Sequence, residues 1–226
     1  MTRWLDGWTV VFDLDGTLVD TAPDLLSALN HVLTHAGLEE VDLQTVATMI
    51  GHGAKAMIRK GMEHQGKEPG EMELEALFAR FLVYYADNIA VGSRPFDQAP
   101  ETLDELAAGG GLLAVCTNKK QDLSDQLLGA LGLAPRFAAI LGADSVPSRK
   151  PDGDHIVRTV IAAGGTPARA IMVGDSRTDE RAARNAGLPF IFVPFGYEAE
   201  SVEAIGADAV VPHYSLLPSA LSRLIG

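Results

Sequence analysis

Thr9-Val10-Val11-Phe12-Asp13-Leu14-Asp15-Gly16-Thr17 joins a β-branched and aromatic run directly to a polar turn. Such a run predicts a short buried strand, and the passage into Asp13-Leu14-Asp15-Gly16 ends it. The same signal returns at 112–117, 139–141, 170–173 and 190–193. Between these runs the spacing predicts helices near 97–108, 121–130, 154–163 and 177–186, several of which stop at a glycine: Gly109, Gly164 or Gly187. Strands alternating with helices imply an α/β fold, a Rossmann-like parallel sheet with helices on both faces.

The period changes from about residue 22 to residue 90. Leu25, Leu26, Leu29, Val32 and Leu33 form one helical stripe, and Leu74, Leu77, Phe78, Phe81 and Leu82 form another. No strand is expected there. Residues 20–91 therefore read as a small all-helical cap domain inserted after the first strand, with 1–19 and 92–226 as the core domain. Met49, Met57, Met62 and Met72 are expected to fill the cap interior.

Composition narrows the function classes. The 226 residues carry 18 basic and 30 acidic side chains, a net charge of -12, so the surrounding field repels polyanions and nucleic acid is not the expected partner. No apolar stretch approaches the roughly 20 residues of a membrane span, and the first residues lack a long apolar signal core. No membrane association and a cytoplasmic location are the expectations. The single cysteine, Cys116, lies in an apolar run and reads as a small buried hydrophobe. His31 and His35 have i, i+4 spacing but no third ligand nearby, so surface or packing roles are expected.

Open parallel sheets bind ligands beyond the carboxyl ends of their strands. Asp13 and Asp15 follow the first strand, Thr117 and Asn118 the second, Lys150 lies after the third, and Asp175 and Asp179 follow the fourth. Each set alone has a plainer explanation: Asp-Gly and Asn-Lys are turn residues, and Gly174-Asp175-Ser176 can simply cap a helix. Together they bring four carboxylates and one lysine to a single edge. Acids that close repel one another unless a cation neutralises them, and clustered hard oxygens suit Mg²⁺, which readily shares a phosphate oxygen. Phosphoryl chemistry follows. Rival motifs fit less well, since the chain has no GxxxxGK[ST], and Gly51-His52-Gly53-Ala54-Lys55-Ala56 matches GxGxxA without following a strand.

These residues resemble the haloacid dehalogenase-like hydrolase superfamily, and within it the phosphoglycolate phosphatases. The shared motifs are Asp13-Leu14-Asp15-Gly16-Thr17, Thr117-Asn118-Lys119, Lys150-Pro151 and Gly174-Asp175-Ser176-Arg177-Thr178-Asp179, in family order over nearly the whole chain. The late segment from Ala186-Gly187-Leu188-Pro189 to Phe195-Gly196-Tyr197 resembles the phosphoglycolate phosphatase branch more than the mutases. The resemblance implies Asp13 as nucleophile and Asp15 as general acid and then base, with Lys150 stabilising charge. It also implies that Thr117 and the Asn118 backbone N–H hold the phosphoryl oxygens. The implied metal set is Asp13, Asp15 through its backbone carbonyl, and Asp175, with Asp179 acting through water or by positioning other groups.

Relatives that cleave carbon–halogen bonds lack the second aspartate, so Asp15 favours an oxygen leaving group. In the cap, Gly51-His52-Gly53 resembles a substrate-specificity loop at a helix start, where N–H groups favour a substrate carboxylate. His52, Lys55 and Arg59 are the contact candidates. The expected function is a Mg²⁺-dependent phosphatase for a small phosphate monoester, with 2-phosphoglycolate the first substrate considered. The alternatives are a sugar phosphomutase of the same superfamily and a phosphate-binding module without turnover.

Overall fold

The computed structural model describes residues 3–47, 49–50, 53–197 and 201–226. The chain divides into two compact units, Met1–Asp20 with Pro95–Gly226, and Thr21–Arg94. In chain order the strands are β1 (Thr9–Phe12), β2 (Val19–Asp20), β3 (Arg94–Pro95), β4 (Leu112–Cys116), β5 (Ala139–Leu141), β6 (Ala170–Gly174), β7 (Phe190–Phe192) and β8 (Ala209–Val210). Six of them form a parallel sheet in the order β5-β4-β1-β6-β7-β8, while β2 and β3 pair as a separate two-stranded ribbon.

The strand quoted first is the one that positions everything else. β1 lies between β4 and β6, with Phe12 opposite Val115 on one side and Val173 on the other. All four of its residues are buried, as expected of a strand covered on both faces. Val11 joins Met172, Phe190 and Phe192 in an apolar cluster with Ile156 and Val160 of the helix Gly153–Ala162 and Ala182 and Ala183 of the helix Arg177–Ala186. Because side chains alternate across a strand, Val10 faces the other side of the sheet. The helix Ala99–Ala108 packs on β4 and buries Leu103 and Leu106.

Gln121–Ala130 and Arg177–Ala186 form at the ranges the sequence predicts. Gly164 and Gly187 turn the chain at φ +81 and +70. Gly109 does not: it stays at φ -69, and its neighbour Gly110, at φ +91, makes the left-handed turn that a side chain would strain. The later elements that the sequence does not predict include the short helix Val202–Ile205, the edge strand β8 and the helix Leu217–Ile225, which buries Leu217, Ala220 and Leu221.

The unit Thr21–Arg94 is helical, with helices Ala22–His35, Leu43–Ala47, Ala54–Glu63 and Glu71–Asp87. Leu25, Leu29, Val32 and Leu33 are buried, as are Leu74, Leu77, Phe81 and Tyr85. Met49, Met57 and Met62 are buried, but Met72 is 89% exposed, contrary to the expectation that it fills the interior. The buried stripe at 74, 77, 81 and 85 places residue 72 on the opposite helix face. The buried Asp24 carboxylate accepts hydrogen bonds from Gly92 N (2.7 Å), Ser93 N (2.8 Å) and Ser93 Oγ (2.6 Å), so residues 92–94 group with this unit, three residues beyond the sequence-based limit of 91. No helix among the described residues is long and apolar enough to cross a membrane.

Candidate active site

Asp13 is the first residue after β1, and its N–H still donates to Val173 O at 3.0 Å, so the parallel ladder holds it one step past the strand. The chain then folds back sharply. Gly16, at φ +83, donates to Val19 O, and Leu18 and Val19 both donate to Leu14 O. This turn aims Thr17, whose hydroxyl donates to Asp175 Oδ1 at 2.8 Å. Asp175 Oδ2 accepts from Tyr197 N at 2.9 Å. A Cβ on either Gly16 or Gly196 would collide with the Asp175 carboxylate, which is why both positions need a bare backbone.

Ser176 caps the helix Arg177–Ala186 through a capping box with Asp179, as the plain helix-cap explanation of Gly174-Asp175-Ser176 expects. Ser176 Oγ donates to Asp179 Oδ2 at 2.6 Å. The other Asp179 oxygen accepts from Lys150 Nζ, also at 2.6 Å, and Lys150 Nζ lies 2.7 Å from Asp13 Oδ1. Lys150 is held from behind as well, since Asn118 Nδ2 donates to its carbonyl at 3.0 Å. Thr117, 1% exposed, stands just past β4 beside β1, with its N–H on Leu141 O.

Asp13, Asp175 and Asp179 are buried and offer one carboxylate oxygen each within 4.8 Å of one another. Among the described residues, one ammonium group, that of Lys150, pairs with this cluster. Burial and the Asp179 charge push the Asp13 carboxyl up to about 7 despite Lys150. Burial also drives Asp175 well above the usual carboxylate range, helped by Asp179 and Asp13 and opposed by the Tyr197 and Thr17 hydrogen bonds. Burial alone would lower Lys150, but Asp13 and Asp179 outweigh it and hold the ammonium firmly charged. An excess of buried negative charge on hard oxygens is the environment a divalent cation such as Mg²⁺ fits.

Asp15 stands apart from that cluster. Its carboxylate takes both oxygens to Lys119 Nζ, at 2.8 and 3.1 Å. Lys119 lies within Thr117-Asn118-Lys119, but neither it nor Thr17 nor Tyr197 has a role that the sequence predicts. Thr17 and Lys119 were visible inside their motifs, whereas no local signal tied Tyr197 to Asp175. In the helical unit, Gly51 and His52 lie outside the described residues. Gly53, at φ +89, precedes the helix Ala54–Glu63. Lys55 is engaged by Glu71 and Glu75, and Arg59 reaches Glu71 at 3.5 Å, so both sit in an ion-pair cluster within that unit. Cys116 is buried, with its thiol pushed up to about 12 by burial, and His31 stacks on Tyr84.

A parallel α/β sheet carrying acids beyond two of its strands, β1 and β6, with a buried lysine paired to them, has the donor set of a phosphoryl-transfer hydrolase. The haloacid dehalogenase-like hydrolase profile matches residues 10–193, and the chain belongs to that family. It is 45% identical to the phosphoglycolate phosphatase of Caulobacter vibrioides, over 98% of this chain and 93% of that protein. It is 44% identical to the phosphoglycolate phosphatase of Mesorhizobium japonicum, over 96% of each. Among solved structures, a predicted phosphoglycolate phosphatase from Haemophilus somnus 129pt superposes with a TM-score of 0.89 at 30% identity, covering 98% of this chain and 99% of that one. Within its family the chain is a phosphoglycolate phosphatase-like phosphoric monoester hydrolase.

Proposed function

We infer that this hydrolase is a Mg²⁺-dependent phosphatase that cleaves 2-phosphoglycolate through an aspartyl-phosphate on Asp13. The observation that carries the reading is the division of the acids: Asp13, Asp175 and Asp179 converge, with Lys150 paired to Asp13 and Asp179, while Asp15 is paired with Lys119. Asp13 is the nucleophile. One of its carboxylate oxygens forms a bond to phosphorus as the bond to the ester oxygen breaks, and Asp15 gives its proton to the departing alkoxide. In the second half, Asp15 takes a proton from water as the water oxygen bonds to phosphorus and the Asp13 carboxylate leaves. Thr117 and the Asn118 N–H orient the phosphoryl oxygens, and Lys150 offsets their charge.

Asp13, Asp175 and the Asp15 carbonyl are the groups that would hold Mg²⁺, which supplies charge neutralisation at the phosphoryl oxygens when bound. Asp179 has both oxygens committed, one to Lys150 and one to Ser176, so it serves as a positioning residue. Gly51, His52 and Gly53 are the proposed carboxylate-recognition loop. The relatives' names supply the choice of 2-phosphoglycolate as substrate.

Phosphate release from a panel of phosphate monoesters, with and without Mg²⁺, tests the reading. The expected result is release that requires Mg²⁺ and a kcat/KM highest for 2-phosphoglycolate. Highest efficiency on a sugar phosphate would overturn the substrate, and no release from any ester would overturn the phosphatase reading.

The metal has a separate thermodynamic signature. Asp13 rises from 3.8 to about 7 on folding without a cation, so the metal-free native state binds a proton more tightly than the unfolded chain. That contribution is complete below about pH 4 and is lost as pH rises through about 7. Mg²⁺ takes the place of those protons. Its stabilisation is therefore expected to be small at pH 5. At pH 8 it reaches about 5 °C or more in melting temperature with Mg²⁺ at roughly a hundredfold above its Kd. His155, which burial and Lys150 lower to about 4, titrates in both samples and largely cancels in the difference. Equal Mg²⁺ stabilisation at both pH values would count against the site.

A further inference from the structure

Lys119 is a partly buried cation to which the proposed reaction gives no task. Its side chain is 5% exposed and that of Asp15 is 16% exposed. The ammonium lies 2.8 and 3.1 Å from the two oxygens of the Asp15 carboxylate. Long exposed lysines form weak and mobile ion pairs, but a pair this enclosed fixes its partner. The lysine is itself anchored at its backbone. Lys119 N donates to Thr117 Oγ1 at 3.1 Å, and Lys119 O accepts from Ala143 N at 2.9 Å, tying it to the ends of β4 and β5. Gly142 allows this close approach, since a Cβ there would meet Lys119 O at 2.9 Å and clash with the Gln121 backbone.

Asp15 is only two residues from Asp13, on a turn that brings other carboxylates near. A free Asp15 side chain would face a cation site that competes for it, and an acid drawn to that site cannot hand a proton to an alkoxide. We propose that Lys119 is a positioning residue that keeps the Asp15 carboxylate out of the Asp13, Asp175 and Asp179 cluster and aims it at the leaving-group oxygen. This deepens the proposed function and rests on its assignment of Asp15 as the proton donor. Lys119 transfers no proton. Asp15 enters the step as the carboxylic acid: its proton passes to the ester oxygen as the phosphorus–oxygen bond breaks, Asp15 is left as the carboxylate, and Lys119 fixes where it stands and pairs with the charge that forms.

The test uses leaving groups of different basicity. An alkoxide needs a proton on departure, whereas p-nitrophenolate leaves without one. The quantity to compare is kcat/KM, which covers steps only through the first irreversible departure and so reports phosphorylation of Asp13 rather than breakdown of the phosphoenzyme. Lys119→Met is expected to lower kcat/KM by about 10- to 100-fold for an alkyl phosphate, part of the effect of general acid catalysis, and by far less for p-nitrophenyl phosphate. An initial burst of nitrophenol is also expected, since Asp15 is needed again for hydrolysis of the phosphoenzyme.

Retained cleavage of the aryl ester reports that the variant is folded. Lys119→Gln, which keeps a donor without the charge, serves if Lys119→Met does not fold. Equal losses on both esters, or no loss on either, would overturn the proposal. Asp15→Asn assayed in parallel separates the two levels. If Asp15→Asn shows the alkyl-selective loss and the Lys119 variants do not, only the positioning role fails; if Asp15→Asn shows no selectivity, the proton-donor assignment beneath it fails.

Discussion

Asp13→Asn is expected to lower phosphate release by about 10⁴-fold or more, because the amide offers no anionic oxygen to phosphorus. The change is nearly isosteric, and Lys150 keeps its 2.6 Å hydrogen bond to Asp179. The variant should therefore fold. It should also melt within about 5 °C of the metal-free parent, since it removes one member of a mutually repelling cluster whose burial raises Asp13 to about 7. Circular dichroism with a continuous phosphate assay is sufficient to see both effects. Turnover close to the parent's would remove Asp13 from the chemistry, and an unfolded variant would assign it a structural role instead.

Lys150→Met is expected to show the opposite balance, with stability lost together with activity. The Lys150 side chain is 1% exposed and touches both Asp13 and Asp179, so its removal leaves two buried carboxylates without a cation. Breaking a buried pair from one side costs about 3–5 kcal/mol, or about 10 °C in melting temperature for a chain of this size. The deficit should shrink towards pH 5, where Asp13, raised to about 7, is protonated and needs no partner. A melting temperature equal to the parent's at pH 8 would contradict the pairing. Loss of kcat/KM by about 10²-fold or more accompanies the change, by the usual cost of deleting a charge that stabilises the transition state.

Much of the sheet could be read from the chain because its central strands are covered on both faces and must be continuously apolar. β1, β4 and β6 announce themselves in this way, and their ends carry Asp13, Thr117 and Asp175. What could not be read was mostly a matter of long-range geometry. Nothing near Lys119 shows that it meets Asp15, 104 residues earlier, and nothing near Tyr197 shows that its N–H meets Asp175. Lys55 illustrates the opposite difficulty. Beside Gly53 it reads as a ligand contact, but carboxylates 16 and 20 residues away engage it. β8 is only two residues long at a sheet edge, too short for any periodicity to register.

Asp24, through its three hydrogen bonds to Gly92 and Ser93, makes the segment between Thr21 and Arg94 a cassette that brings its own clasp. Exchange of this block between related enzymes then demands little of the recipient beyond two splice points, provided the aspartate and the Gly-Ser pair travel together. Recombination can thus exchange the helical block as one piece, and a chimera cut between residues 91 and 92 forfeits that advantage.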